Sequence, residues 1–240
     1  KFLVMVNNES SLCVTCHKVK YWESSTHRTS TAKWNGKNEN PWPNSSKKDV
    51  KANACGNCHN PHSAGTRQRL LTFSKEEDNC LSCHNGDVAS KDVANDFDKE
   101  SRHKIEEHNG LHDPTEDRIA GPRHVECFDC HNAHAVHNAP AVAPAASGAL
   151  AGVAGVNASG ELVDPIDKQY ELCFRCHSDS PDRAPALIPR QYSETNVRVE
   201  FNPANASYHP VVAPGRNPSV PSLISTYDET RWIYCTDCHS

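Results

Sequence analysis

Cys127-Phe128-Asp129-Cys130-His131-Asn132-Ala133-His134 holds two cysteines two residues apart, a histidine directly after the second, and another histidine three residues on. Its first five residues are one of six copies of Cys-x-x-Cys-His. The others are Cys13, Cys16 and His17; Cys55, Cys58 and His59; Cys80, Cys83 and His84; Cys173, Cys176 and His177; and Cys235, Cys238 and His239. Together the six copies use all twelve cysteines. Paired Cys-x-x-Cys motifs suit structural zinc, and many cysteines in an exported chain suit a disulfide framework. Neither calls for a histidine directly after every second cysteine.

In this pentapeptide the two thiols form thioether bonds to the vinyl groups of a haem, and the adjacent histidine is placed to ligate the iron from the proximal side. The expectation is six covalently attached haem c groups, with His17, His59, His84, His131, His177 and His239 as proximal ligands. Composition agrees. Leu, Ile, Val and Phe make up 41 of 240 residues, below the roughly one fifth at which a chain builds an ordinary core, so a large apolar cofactor must fill the interior. The 25 basic and 30 acidic residues, net charge -5, give no warrant for a nucleic-acid partner and do not reach the imbalance of a disordered chain.

Haem is attached to such motifs outside the cytoplasm, so export is expected. Lys1-Phe2-Leu3-Val4-Met5-Val6 is too short to be a signal peptide, which marks the sequence as mature or trimmed. The most apolar stretch, Ala141 to Val156, is Ala/Gly-rich and contains Pro144. It reads as a flexible or Pro-stiffened linker rather than a membrane span.

The chain repeats in pairs of motifs. Odd-numbered motifs are followed by Ser-x-His, at Ser25-Thr26-His27, Ser101-Arg102-His103 and Ser207-Tyr208-His209, whereas the second and fourth continue to His62 and His134. The repeats pair Cys13 with Cys55, Cys80 with Cys127 and Cys173 with Cys235, within one hexahaem unit spanning 1–240. Their approximate limits are 1–66, 67–140 and 141–240, the last including an Ala/Pro-rich linker at 138–160. Continuing the pattern would place a further Asn-x-His after His239, so the chain is truncated there or its last haem is finished differently. Between motifs the sequence is short, polar and rich in turn formers, as in Asn40-Pro41-Trp42-Pro43-Asn44. The fold expected is mostly coil, with a few short helices and little strand, around a core of six stacked haems. Helices are expected over Ser74 to Cys83 and Asp167 to Cys176, capped by Ser74 and Asp167.

Met5 is the sole methionine, so Met/His ligation is open to one haem at most, while nine histidines outside the motifs are enough for bis-His ligation throughout. His62 and His134 sit three residues after a proximal histidine, on nearly the same face of a turn. Such a residue serves a neighbouring haem, not its own. His27, His103 and His209 recur in register with the odd motifs. His124, three residues before Cys127, is the sixth choice and His112 the next. His108 and His137 read as surface residues or ligands lent to another chain.

The stretches Pro122-Arg123-His124-Val125-Glu126-Cys127 through His134, Ser207-Tyr208-His209-Pro210-Val211 and Ile233-Tyr234-Cys235 through His239 resemble the doubled-CxxCH multihaem cytochromes, and within them the subunits of extracellular cytochrome filaments. The resemblance implies His27, His62, His103, His124, His134 and His209 as distal ligands. It also implies a continuous haem stack, a distal histidine shared between copies of the chain, and electron transfer to acceptors at the cell surface or beyond. The near absence of sequence after His239 departs from an interface built by a C-terminal extension. A soluble periplasmic or extracellular electron shuttle is the alternative. A reductase is disfavoured because every motif ends in histidine, so the chain is expected not to be an enzyme. Asn8, Asn44, Asn157 and Asn205 lie in Asn-x-Ser sequons that would suit a surface location.

Overall fold

The computed structural model describes residues 3–62, 64–65, 67–122, 124–181, 191–192 and 194–239. Lys1 and Phe2 of the N-terminal stretch, Arg123, and the repeat limits at 66 and 240 lie outside these residues. The described chain is mostly coil, with helices of three to nine residues and one two-stranded ladder in which Gly155–Val156 pairs antiparallel with Leu162–Val163. Isolated helices this short are marginal in water, so whatever holds them acts from outside the helix. None of the described helices is long and apolar enough to cross a membrane.

The chain divides into two compact units, one comprising Lys1–Pro114 and His124–His137, the other Thr115–Arg123 and Asn138–Ser240. By its own contacts the chain closes on itself twice, with four motifs in the first unit and two in the second.

In the first unit the helix Glu76–Leu81 leads into the third motif. Lys75, not Ser74, occupies its cap position. Glu76, Glu77 and Asp78 supply negative charge to the first turn, where the helix dipole favours it. The Asn79 side chain accepts from Phe73 N and donates to Lys75 O, fixing the approach. Ser25, fully buried, caps Thr26–Thr29 by accepting from His27 N and donates to Ala133 O. This gives the first Ser-x-His a structural meaning: the serine docks the residues after motif one against those after motif four.

In the second unit the helix Gln169–His177 carries the fifth motif in its last turns. The Glu171 carboxylate accepts from Asp167 N and Lys168 N, so the cap is made from inside the helix and not by Asp167. Val156, Tyr170, Phe174, Val211 and Val212 form an apolar cluster. The stretch expected to be a linker contributes Val156 to it; Val153 and Ala154 are buried as well, and Ala146 N donates to Asp167 O. Gly155 is required there, because a Cβ would meet Glu171 O at 2.4 Å. Small residues in this segment let backbone lie directly on the helix.

Candidate haem sites

Five of the six motifs share one local turn, in which the histidine amide donates to the first cysteine carbonyl at 2.9–3.1 Å: His17, His59, His84, His131 and His239. His177 ends the helix that contains its motif. One helical turn brings both cysteines and the histidine of a motif to one side of the backbone. Motifs four and six add a device of their own, the aspartate in Cys-x-Asp-Cys. Asp129 Oδ2 accepts from Glu126 N and Asp237 Oδ2 from Tyr234 N, both at 2.8 Å.

The leading cysteines face each other in pairs. Cys13 lies close enough to Cys55 for their side chains to interact, as do Cys80 and Cys127, and Cys173 and Cys235. These are the partners by which the sequence repeats are drawn. Burial pushes the Cys58 thiol up to about 11.

Two imidazole pairs stand out. The His27 and His84 ring centres are 6.0 Å apart with planes at 86°, and those of His59 and His134 are 6.4 Å apart with planes at 8°. A metal–imidazole bond of about 2 Å, with the ring centre about 1 Å beyond the nitrogen, puts the centres of two rings flanking one metal about 6 Å apart. Both pairs fit an iron between them. His27 Nδ1 lies 2.8 Å from Ala133 O and His59 Nδ1 2.8 Å from Arg69 O. A carbonyl only accepts, so each Nδ1 carries the proton and each Nε2 keeps its lone pair. Burial, followed by neighbouring imidazoles, holds His84 and His134 below the ordinary histidine range, which favours the neutral, ligating form. Trp22 packs edge-on against His134 with ring centres 6.0 Å apart.

The other expected positions are placed as follows. His17, His62, His209 and His239 are exposed, and among the described residues none of the four has another imidazole against it. His103, His131 and His177 are also exposed. Met5 Sδ accepts from Thr15 Oγ1. His124 stacks on His108, with ring centres 4.5 Å apart, beside the buried carboxylate of Glu126. His108 is not a plain surface residue, because its Nδ1 lies 2.7 Å from Glu126 Oε1. Sequence reasoning passed over Glu126, Asp129 and Glu76. The signal available was His108 and His112 at helical spacing, followed by His124-x-Glu126-x-x-Asp129.

Residues 48–89, which span the second and third motifs, match the family model described as the doubled CXXCH motif. The match supports a multihaem c-type cytochrome with covalently attached haem c and a part in electron transfer. No curated protein and no solved structure matches the chain.

Proposed function

We propose that the chain carries six haem c groups and conducts electrons over long range, as the subunit of a homopolymeric extracellular filament. The observation that carries this reading is the pair of facing imidazole sets, His27 with His84 and His59 with His134. Each set joins a histidine that follows one motif to the proximal histidine of a different motif, which is the arrangement needed to hold neighbouring haems at fixed spacing.

The bound haem supplies reversible one-electron chemistry. The twelve cysteines anchor it, and the six motif histidines together with His27, His62, His103, His134 and His209 hold the irons. His124 is the sequence's choice for the remaining distal position. Ala133 O and Arg69 O orient the His27 and His59 rings, and Trp22 shields His134 from water. Where two histidines would hold one iron, as His27 with His84 and His59 with His134, that iron would not be open to a substrate, which argues against a reductase.

Two measurements test this. Replacing His134 with Ala should convert the haem of the second motif to high spin by electron paramagnetic resonance while the fourth motif's haem stays low spin; a change confined to the fourth sinks the ligand scheme. Cryo-microscopy of native material should show filaments with an unbroken haem chain. Discrete particles would leave the haem assignment standing and make a diffusing shuttle the better account.

A further inference from the structure

Beside the fourth motif lies a group of side chains that the haem scheme does not use in full. Glu126 is 3% exposed. Its Oε1 is bound to His108, whereas its Oε2 is buried and makes no hydrogen bond among the described residues. That oxygen lies 3.3 Å from His112 Nδ1 and 3.6 Å from His124 Nε2, and His112 Nδ1 lies 3.6 Å from Asp129 Oδ1. The donor atoms of His112, His124 and Asp129 all fall within 4.8 Å of one another.

These separations have a specific meaning. Nitrogen and oxygen ligands at about 2.0–2.2 Å from a tetrahedral metal are separated by about 3.3–3.6 Å along each edge of the tetrahedron. The edges from Glu126 Oε2 to His112 Nδ1 and to His124 Nε2, and from His112 Nδ1 to Asp129 Oδ1, match that figure. Hydrogen bonds would draw the same atoms closer, to about 2.7–3.2 Å.

The surroundings are built to hold this geometry. Asp129 Oδ2 accepts from Glu126 N in the turn of its own motif, which holds this aspartate beside the cluster. Glu76, 2% exposed, accepts from Phe128 N at 2.8 Å and from His112 N at 3.0 Å, so one buried carboxylate ties the segment bearing His112 to the helix Cys127–Cys130. His108 fixes the Glu126 carboxylate and stacks on His124. Neither Glu76 nor Glu126 has a lysine or arginine partner among the described residues. Buried carboxylates are normally neutralised by a cation or a metal.

We propose that His112, His124, Glu126 and Asp129 form a non-haem site for a divalent first-row cation of the zinc type, with His108 and Glu76 as positioning residues. The two carboxylates neutralise the ion and the two imidazoles remain neutral, a donor set that suits Zn²⁺. The site is separate from the thioether anchors and would brace the loop before the fourth motif. It also takes His124 out of the distal set, which makes the proposal decidable against iron ligation.

The test uses the haem-loaded protein, stripped with a chelator and titrated with Zn²⁺ alone. One equivalent should bind tightly. His112→Ala and Glu126→Gln should each weaken binding by at least about 100-fold, and His108→Ala by about 10-fold, with haem content and the low-spin spectrum unchanged. Zinc absorption-edge spectroscopy of the unsubstituted protein gives a second readout if a variant fails to assemble: a shell of nitrogen and oxygen with two imidazoles supports the site, and sulfur in the shell overturns it. Binding no tighter in the parent than in Glu126→Gln overturns it too. So does a high-spin haem in His124→Ala with zinc affinity intact, which would assign that ring to iron.

Discussion

The first unit holds four motifs, and its buried apolar residues, among them Trp22, Trp42, Val50 and Ile105, are scattered; the second holds two motifs and buries a contiguous cluster around Phe174. Buried carboxylates are distributed the other way, with Glu76, Glu77, Asp87, Glu126 and Asp129 in the first unit against Glu171 in the second. Where motifs are dense, side chains need not supply the interior and buried polar groups are tolerated if they are paired. Where motifs are sparse, the chain builds a small ordinary core. The Ala/Pro-rich stretch is the sequence cost of that core.

The largest test of the contrast removes an anchor. Cys80→Ala with Cys83→Ala should leave the first unit open to limited proteolysis, whereas Cys235→Ala with Cys238→Ala should spare the second unit's Phe174 cluster; equal loss in both would break the comparison. Next, Phe174→Ala should destabilise by about 3–5 kcal/mol, seen as a lower melting transition for the second unit while first-unit haem spectra hold. A smaller effect, about 1 kcal/mol by thermal melt, is expected for Asp237→Ala, which removes the cap on Tyr234 N.

The smallest effect concerns Glu9, which bonds Arg28 at 2.7 Å and faces Lys51 at 3.4 Å on the surface of the first unit. The Arg28 hydrogen bond, ahead of Lys51, holds the Glu9 carboxyl below its ordinary value of 4.5. Its contribution is therefore present above that value and fades as pH falls through the lowered one. Glu9→Gln should narrow the gap between melts at pH 7 and pH 3, and added salt should mimic it.

Much of this was legible in the sequence. The six motifs announce their cofactor because the chemistry demands cysteine, cysteine and histidine at fixed spacing. Low apolar content announces coil. Helices were legible too, but their caps fell one residue late, because side chains within the helix, Asn79 in one and Glu171 in the other, bond the approaching backbone in place of Ser74 and Asp167. Ala141 to Val156 misled because small residues serve equally for a loose linker and for close backbone packing, and only Gly155 against Glu171 O separates the two. Which histidine faces which could not be read: His27 and His84 are far apart in sequence, joined by the docking of Ser25 and Thr26 onto residues 133–136. The carboxylates beside His112 and His124 were missed because buried acids leave no periodic signal.

The facing cysteines carry a consequence for how the protein is made. Cys13 against Cys55, Cys80 against Cys127 and Cys173 against Cys235 bring together thiols from different motifs. In an oxidising compartment such neighbours are ready to cross-link, and burial leaves a thiol such as Cys58 poorly reactive. Cofactor attachment must therefore precede collapse: a chain that compacts before loading seals its own anchors, and biosynthesis becomes a race between the attachment machinery and folding.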